Sequence, residues 1–183
     1  FCKKFQQITM NQAAVDAYIA NQEIQAQQFI KRIKNPFLFR LFMLIKLPMA
    51  FLASVKVEEV NADVCEISVP FRWLNQNPFG STYFAVLAMA AEMSSGMIAL
   101  MYTQNAKPSI AMLVTNLDAT FIKKATGVTT FKCDSGKAIR EAIQQSVLTG
   151  EGRTITCKAV GYSKTGEIEA EFNVTWSFKA RTK

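Results

Sequence analysis

The chain has 183 residues, half of them hydrophobic, and this length suits one domain with a substantial core rather than two. Its 21 basic and 14 acidic residues give a net charge of +7, which favours anionic partners, but the cations follow no nucleic-acid-binding pattern and nucleic acid is not an expected partner. The sequence contains no histidine, which excludes Ser-His-Asp and Cys-His catalysis and histidine-ligated metals.

The N-terminal residues FCKKFQQITM show no signal-peptide pattern, so a cytoplasmic protein is expected, with Met10 as an alternative start. Residues 11–34 are rich in Gln and Ala and carry apolar residues at loosely helical spacing, which predicts an amphipathic helix. The next stretch, NPFLFRLFMLIKLPMAFLA, is interrupted by Arg40, Lys46 and Pro48 before it reaches the roughly 20 residues that a membrane span needs. It favours a helix that packs on the domain or lines a channel for an apolar ligand; an interfacial helix and a membrane span are the alternatives.

From Ala53 the apolar period changes to two, which predicts a strand-rich domain over residues 53–183 after a helical extension over residues 1–52. ASVKVEEV and ADVCEISV are two predicted strands joined by a tight turn at Asn61. Four further strands are predicted in SIAMLVTNLDATF, GVTTFKCD, RTITCKAVGYS and EIEAEFNVTWSFK. The segment SGKAIREAIQQSVLTGEG, before the fifth strand, suits a short surface helix or loop.

Between the second and third strands, the stretch NPFGSTYFAVLAMAAEMSSGMIALMY contains one charged side chain, Glu92. A helix over residues 81–102 would be apolar all round and must therefore be enclosed by lipid or by protein. A single membrane helix among six soluble strands would make no domain. The sequence therefore predicts an α+β fold in which an antiparallel six-stranded sheet wraps around this one long central helix. One side of that helix carries mostly small residues, namely Ala85, Ala88, Glu92, Ser95, Gly96 and Ala99.

Four cysteines lie far apart in the sequence, without a CxxC pair or the spacing of a zinc module. Three of them, Cys65, Cys133 and Cys157, fall in strand-like runs, where a free cysteine is usually a small buried hydrophobe. We therefore predict reduced thiols, with Cys2 included, and neither a metal nor a cofactor.

The strand order and the helix motif resemble the hot-dog fold, specifically its PaaI-like thioesterases and a related, poorly characterised branch. The resemblance covers roughly residues 53–179. Those thioesterases show Asn, then Gly three residues later, then an acidic residue twelve residues after that Gly, and this chain keeps the spacing with Asn77, Gly80 and Glu92. The stretch LDATFIKKATG also resembles the end of their third strand. The chain departs from the family pattern at the helix start, where His-Gly-Gly is replaced by Tyr83, Phe84 and Ala85.

The resemblance implies an acyl-CoA or acyl-carrier-protein thioesterase that uses water and no metal. Glu92 would be the general base or nucleophile, since an apolar setting raises a carboxyl pKa, and N–H groups around Phe84 would hold the developing oxyanion. Asn77 and Ser95 would orient water or substrate, although Asn77 could merely shape its turn. The remaining candidates for substrate binding are Gly80, Tyr83, Ala85 and three cations for coenzyme A phosphates, Arg72, Lys123 and Lys124.

In this family the site lies between two subunits, so the resemblance also implies at least a homodimer, with the helix start of one chain facing Glu92 of the other. Two other functions stay open. One is a non-catalytic acyl-CoA or fatty-acyl binding module of the same fold. The other is a membrane-surface protein whose barrel only dimerises, although membrane association is not the expectation. Glu92 could also be a structural carboxylate held by buried hydrogen bonds.

Overall fold

Three helices precede the sheet in the computed structural model, which describes residues 12–181. They are α1 (Gln12–Ile33), α2 (Pro36–Lys46) and α3 (Pro48–Leu52). Asn35 begins α2, because its side-chain oxygen accepts hydrogen bonds from the backbone N–H groups of Phe37 and Leu38. Pro48 occupies the first position of α3, where proline is tolerated because the N–H it lacks would have no helical acceptor. The predicted N-terminal helix and the apolar segment are thus three separate helices.

The described residues contain one antiparallel sheet of six strands. These are β1 (Lys56–Val60), β2 (Cys65–Pro70), β3 (Ile110–Phe121), β4 (Val128–Cys133), β5 (Arg153–Tyr162) and β6 (Ile168–Ala180). Their spatial order is β1-β2-β4-β5-β6-β3, so that β1 and β3 form the two edges. The predicted turn at Asn61 is confirmed, since its side-chain oxygen accepts hydrogen bonds from the N–H groups of Asp63 and Val64.

The central helix, α4 (Phe84–Thr103), has 13 of its 20 residues buried, and it packs against β2, β4, β5 and β6. Within the described part of the chain it is the one helix long and apolar enough to cross a membrane, and its burial under the sheet accounts for that composition. The predicted arrangement, a sheet wrapped around one long helix, is confirmed.

A fifth helix, α5 (Gly136–Thr149), was predicted as a short surface helix or loop, but it is a full core-packing element. Ile139, Ile143 and Val147 recur every four residues and are all buried against the sheet and α4. A Cβ at Gly136 would collide with the backbone of Ala62 and Asp63, so the β1–β2 turn fixes where this helix begins.

Three cysteines form a buried cluster on the sheet. Cys65 lies directly opposite Cys133 across β2 and β4, and all three thiols, Cys157 included, are free and fully buried. Hydrogen bonding with Cys157 lowers the pKa of Cys133, whereas burial raises the pKa of Cys65. Cys2 lies outside the described residues.

Because these three thiols have no exposed surface, we expect them to be unreactive in the native protein. Titration with a thiol-specific chromophore should detect none of them in a Cys2→Ser variant under native conditions and all three after unfolding in guanidinium. Rapid modification of any of them in the folded variant would contradict the burial of this cluster.

Candidate functional site

Two neighbouring loops hold the start of α4 in place. The N–H of Tyr83 donates to the carbonyl oxygen of Asn75 at 2.7 Å, and the N–H of Thr82 donates to that of Ala125 at 2.8 Å. Asn75 is itself buried, and its side-chain amide donates to the carbonyl oxygens of Ala53 and Pro70. Sequence reasoning missed Asn75, whose role depends on contacts up to 22 residues away.

Asn77 shapes the loop before the helix. Its side-chain oxygen accepts from the N–H groups of Phe79 and Ser81, and its amide donates to the Ser81 hydroxyl and the Thr82 carbonyl. Gly80 completes this turn at a φ of 71°, a left-handed conformation that favours glycine. Asn77 therefore has a structural role in this loop. That it also orients water or substrate stays a prediction.

The first two N–H groups of α4 are unpaired. The backbone N–H groups of Phe84 and Ala85 form no hydrogen bond with any of residues 12–181, and the Tyr83 side chain does not cap the helix. The aromatic rings of Tyr83 and Phe84 are both exposed. Unpaired N–H groups at the positive end of the helix dipole can hold a negatively charged oxygen.

Glu92 lies two turns further along α4 and is half-buried. Its carboxylate forms no hydrogen bond or ion pair with any other described residue, and burial raises its pKa. A Cβ added at Gly96 would lie 3.1 Å from Glu92 Oε1 and 3.3 Å from Trp176 Cζ2. Glycine at this position therefore leaves the space in which the carboxylate sits beside the indole ring.

The Ser95 side chain is buried in the core and does not face open space. It is 0% exposed, its hydroxyl donates to the Glu92 carbonyl at 3.1 Å, and it accepts from Trp176 Nε1 at 2.9 Å. Any influence of Ser95 on catalysis would therefore act by positioning Trp176 and the Glu92 backbone. Sequence reasoning did not place Trp176 beside Glu92.

The uncovered side of α4 faces the β3 edge of the sheet. Leu117 and Phe121 of β3 pair with Val174 and Ala170 of β6, which belong to the same sheet face as Trp176. Leu117 and Phe121 therefore point to the α4 side, yet they are 41% and 51% exposed. The half-buried residues of the helix lie on its open side and include Ala85, Ala88, Glu92 and Gly96.

A single chain does not bring the helix start to Glu92. Eight residues separate Phe84 from Glu92, which amounts to roughly 12 Å along a helix that rises 1.5 Å per residue. A thioester carbonyl cannot contact both groups within one protomer. Both groups lie on open surface, however, so a second copy could complete the site.

The three candidate cations have different surroundings. Lys124 Nζ donates to the carbonyl oxygen of Phe79 at 3.2 Å, which places it beside the helix start. Lys123 pairs with Glu167 at 2.7 Å and lowers the pKa of that exposed carboxyl. Arg72 donates to the Ser54 hydroxyl and lines the cavity beside the N-terminal helices.

A cavity of about 760 Å³ lies between the N-terminal helices and β1. Its walls include Phe39, Met43 and Phe51 on one side and Val57 on the other, with Arg72 also among the lining residues. No residue of α4 lines it. The apolar segment therefore lines a cavity that could enclose an acyl chain, as expected from the sequence. Within one protomer, however, this cavity does not reach Glu92.

No group of three or more acidic or cysteine side chains suited to holding a metal ion occurs in the described residues. The residues of the candidate site, Glu92 and two backbone N–H groups, are themselves not a metal-binding set.

Comparison with known proteins identifies the fold. A family model described as a domain of unknown function (DUF4442) matches residues 36–178, and no curated protein matches the sequence. A Pseudomonas aeruginosa structure, a protein of unknown function named a probable thioesterase, is 17% identical with a TM-score of 0.67, over 80% of this chain and 97% of that one. A mutant thioesterase from the same organism is 14% identical with a TM-score of 0.61, over 80% and 96% of the two chains. A Haemophilus influenzae thioesterase is 12% identical with a TM-score of 0.57, over 78% and 90%. These likenesses establish the hot-dog fold.

Glu92→Gln should stabilise the protein at neutral pH, and the gain should shrink on acidification. Burial raises the folded-state pKa of Glu92 above its unfolded value, so between the two values the native state binds more protons and its stability falls as pH rises. The neutral amide avoids that loss. Melting temperatures of both proteins from about pH 4 to about pH 8 check this, with Glu141→Gln on the exposed side of α5 as the control. A difference in melting temperature that stays constant over this range would contradict it.

Proposed function

We propose that this chain, which belongs to the DUF4442 family, hydrolyses an acyl thioester at a site formed between two copies of itself. One observation carries the proposal: Glu92 is an unpaired, half-buried carboxylate of raised pKa on the open side of the central helix. An unpartnered buried charge destabilises a fold, and sites where such a group persists are often catalytic.

The proposed reaction needs a base, a water molecule and a place for the oxyanion. Glu92 accepts a proton from water while the water oxygen bonds to the thioester carbon, and the carbonyl oxygen becomes an oxyanion. The N–H groups of Phe84 and Ala85 donate to that oxyanion. When the C–S bond breaks, the proton held by Glu92 passes to the departing thiolate, which leaves a carboxylic acid and a free thiol. Direct attack by the Glu92 carboxylate, followed by hydrolysis of the resulting anhydride, is the related alternative.

The replacement of His-Gly-Gly by Tyr83, Phe84 and Ala85 does not remove this chemistry. The donors are backbone N–H groups, which every residue other than proline supplies. The side chains instead change what surrounds them: the rings of Phe84 and Phe121 lie 6.5 Å apart in an edge-to-face arrangement. We propose that these exposed rings contact the acyl portion of the substrate, with Gly80 shaping the turn beside it.

A homodimer through β3 would supply the missing half of the site. β3 is a 12-residue edge strand, which presents unpaired backbone groups to a second chain. Its Leu117 and Phe121 are exposed on the α4 side. Pairing at this edge would cover them and bring the open side of one α4 toward the other, so that Phe84 of one chain could share a substrate with Glu92 of its partner.

The substrate is proposed to be an acyl-CoA or an acyl-carrier-protein thioester in the cytoplasm. Both have phosphate groups that complement cations near the helix start. Lys124 is the best placed of these, since it contacts Phe79 in the loop that precedes α4. Lys123 and Arg72 are assigned the same role, although Lys123 is already paired with Glu167.

A non-catalytic acyl-binding module is the second candidate, and the cavity of about 760 Å³ favours it. That volume suits a ligand site, and its walls combine apolar side chains with Arg40 and Arg72. Incubation with acyl-CoAs of several chain lengths, with free thiol measured, separates the two candidates. Binding of acyl-CoA without thiol release would favour the module.

The variant Glu92→Gln should lose activity while remaining folded. Loss of one general base typically lowers the rate by about 10² to 10⁴, and the amide keeps the size of the side chain. The kcat/KM for thiol release and the melting temperature should be measured together, with Glu141→Gln expected to retain full activity. Unchanged turnover in a folded Glu92→Gln protein would contradict the catalytic assignment.

Mixed dimers should test whether the site is shared. Phe84→Pro removes one N–H donor at the first helical position, where proline is tolerated, and Tyr83 before it is already extended. Each single variant should be strongly impaired. Random mixing of Phe84→Pro and Glu92→Gln chains should recover about a quarter of wild-type activity, since half of the dimers would then contain one intact site of two. Differently tagged chains that copurify but recover nothing would contradict a shared site.

A further inference from the structure

Helix α2 is apolar on two opposite faces. Its inward face packs Phe39, Phe42 and Met43 against the main hydrophobic core. At 3.6 residues per turn, five other apolar residues lie on the opposite face of the helix. We call this face the α2 outer face and define it as Phe37, Leu38, Leu41, Leu44 and Ile45. All five side chains are exposed, from 44% for Leu41 to 75% for Phe37. A helix that is apolar all round has to be enclosed, and the described residues enclose only half of this one.

The exposed surface extends beyond α2. Leu47, Met49 and Leu52, in and beside α3, are exposed as well. Of the nineteen large hydrophobic residues that are exposed in the described part of the chain, eight therefore lie within residues 37–52. Single exposed apolar residues are normal on a protein surface, whereas a concentration of this kind indicates an interaction site.

The chain segment that contains α2 is basic. Residues 24–57 contain six basic residues and no acidic one, whereas the rest of the chain has 15 basic and 14 acidic residues. Nearly the whole net charge thus lies in the segment that contains α2, and the exposed Glu58 and Glu59 that follow it line the cavity behind the helix. All six cations are exposed, and none forms an ion pair with another described residue: Lys31, Arg32, Lys34, Arg40, Lys46 and Lys56.

We propose that the α2 outer face docks this protein on an anionic lipid bilayer. Phe37, Leu41 and Ile45 would enter the boundary between head groups and acyl chains, while the exposed cations of residues 24–57 would be attracted to the anionic head groups around them. Charge argues against a second copy as the occupant, because two such faces would bring segments of charge +6 together. The sequence alone favoured a helix packed on the domain. In the structure, only the inward face of α2 packs on the domain.

The location of α2 keeps this surface free in a dimer. The cavity that α2 lines has β1 as its other wall, and β1 and β3 are the opposite edges of the sheet. A dimer formed at β3 would therefore leave the α2 outer face uncovered. Docking does not depend on the proposed hydrolysis, so either proposal can fail without the other.

Flotation of the full chain with lipid vesicles tests the proposal. We expect binding to vesicles of phosphatidylcholine mixed with phosphatidylglycerol to exceed binding to phosphatidylcholine alone by about tenfold or more. Raising the salt concentration to about 1 M, where the Debye length is about 3 Å, should remove most of that difference. Absence of flotation with either vesicle, or equal binding to both, would overturn the proposal.

Two sets of variants assign the binding to this face. The triple change Phe37→Ser, Leu41→Ser and Ile45→Ser should lower vesicle binding by about tenfold or more without unfolding the protein, because these side chains lie outside the core. The control Ile24→Ser removes an isoleucine that is similarly exposed on α1 and should bind as the wild type does.

The charge variant Arg40→Gln with Lys46→Gln should weaken binding to anionic vesicles, whereas Lys137→Gln with Lys164→Gln removes the same charge elsewhere and should not. Sedimentation of the triple variant identifies the competing occupant. If the triple variant binds vesicles as the wild type does, or if it only reduces self-association, the surface is not a lipid-docking site.

Discussion

The enclosure of α4 is the constraint on which the rest of the structure depends. A helix with 13 of 20 residues buried needs apolar neighbours on nearly every side, and one six-stranded sheet with α5 provides most of them. The side that faces β3 stays open. The one carboxylate of the helix, Glu92, lies on that open side, where it can keep partial contact with water. Incomplete enclosure by one chain is thus what makes both a shared site and a dimer plausible on physical grounds.

Three residues around Glu92 form one packing unit with it. Gly96 leaves space for the carboxylate, Trp176 fills the far side of that space, and the Ser95 hydroxyl links the indole N–H to the Glu92 carbonyl. A larger residue at position 96 would displace either the carboxylate or the indole ring. The position of the candidate base is therefore set by the core packing of β6 against α4, not by a polar network.

The sequence predicts elements whose apolar pattern is local, and it fails where contacts are distant. The helix predicted over residues 11–34 is observed as Gln12–Ile33, and the turn at Asn61 follows from one side chain and its neighbours. The Trp176–Ser95 hydrogen bond joins residues 81 positions apart, so no local pattern indicates it. The alternation of β6 predicts that Glu169 is exposed, but it is buried, because the Thr129 hydroxyl donates to its carboxylate at 2.6 Å. The four-residue spacing of Ile139, Ile143 and Val147 indicates that one face of α5 is buried. The charged residues between them obscured this pattern in the sequence.

The exposure of α2 could not be read from its sequence, because apolarity all round indicates a need for enclosure but not what provides it. Inside a protein, such a helix would be covered on both faces, as α4 nearly is. The sheet around α4 has two edges, and α2 lies outside β1 with only its inward face against the core. More protein packed over this basic segment would also desolvate exposed cations that form no ion pair, such as Lys34 and Lys46, at a cost that a hydrated, anionic head-group layer does not impose. The charge distribution along the chain, rather than its apolar pattern, therefore distinguishes a lipid surface from a missing protein layer.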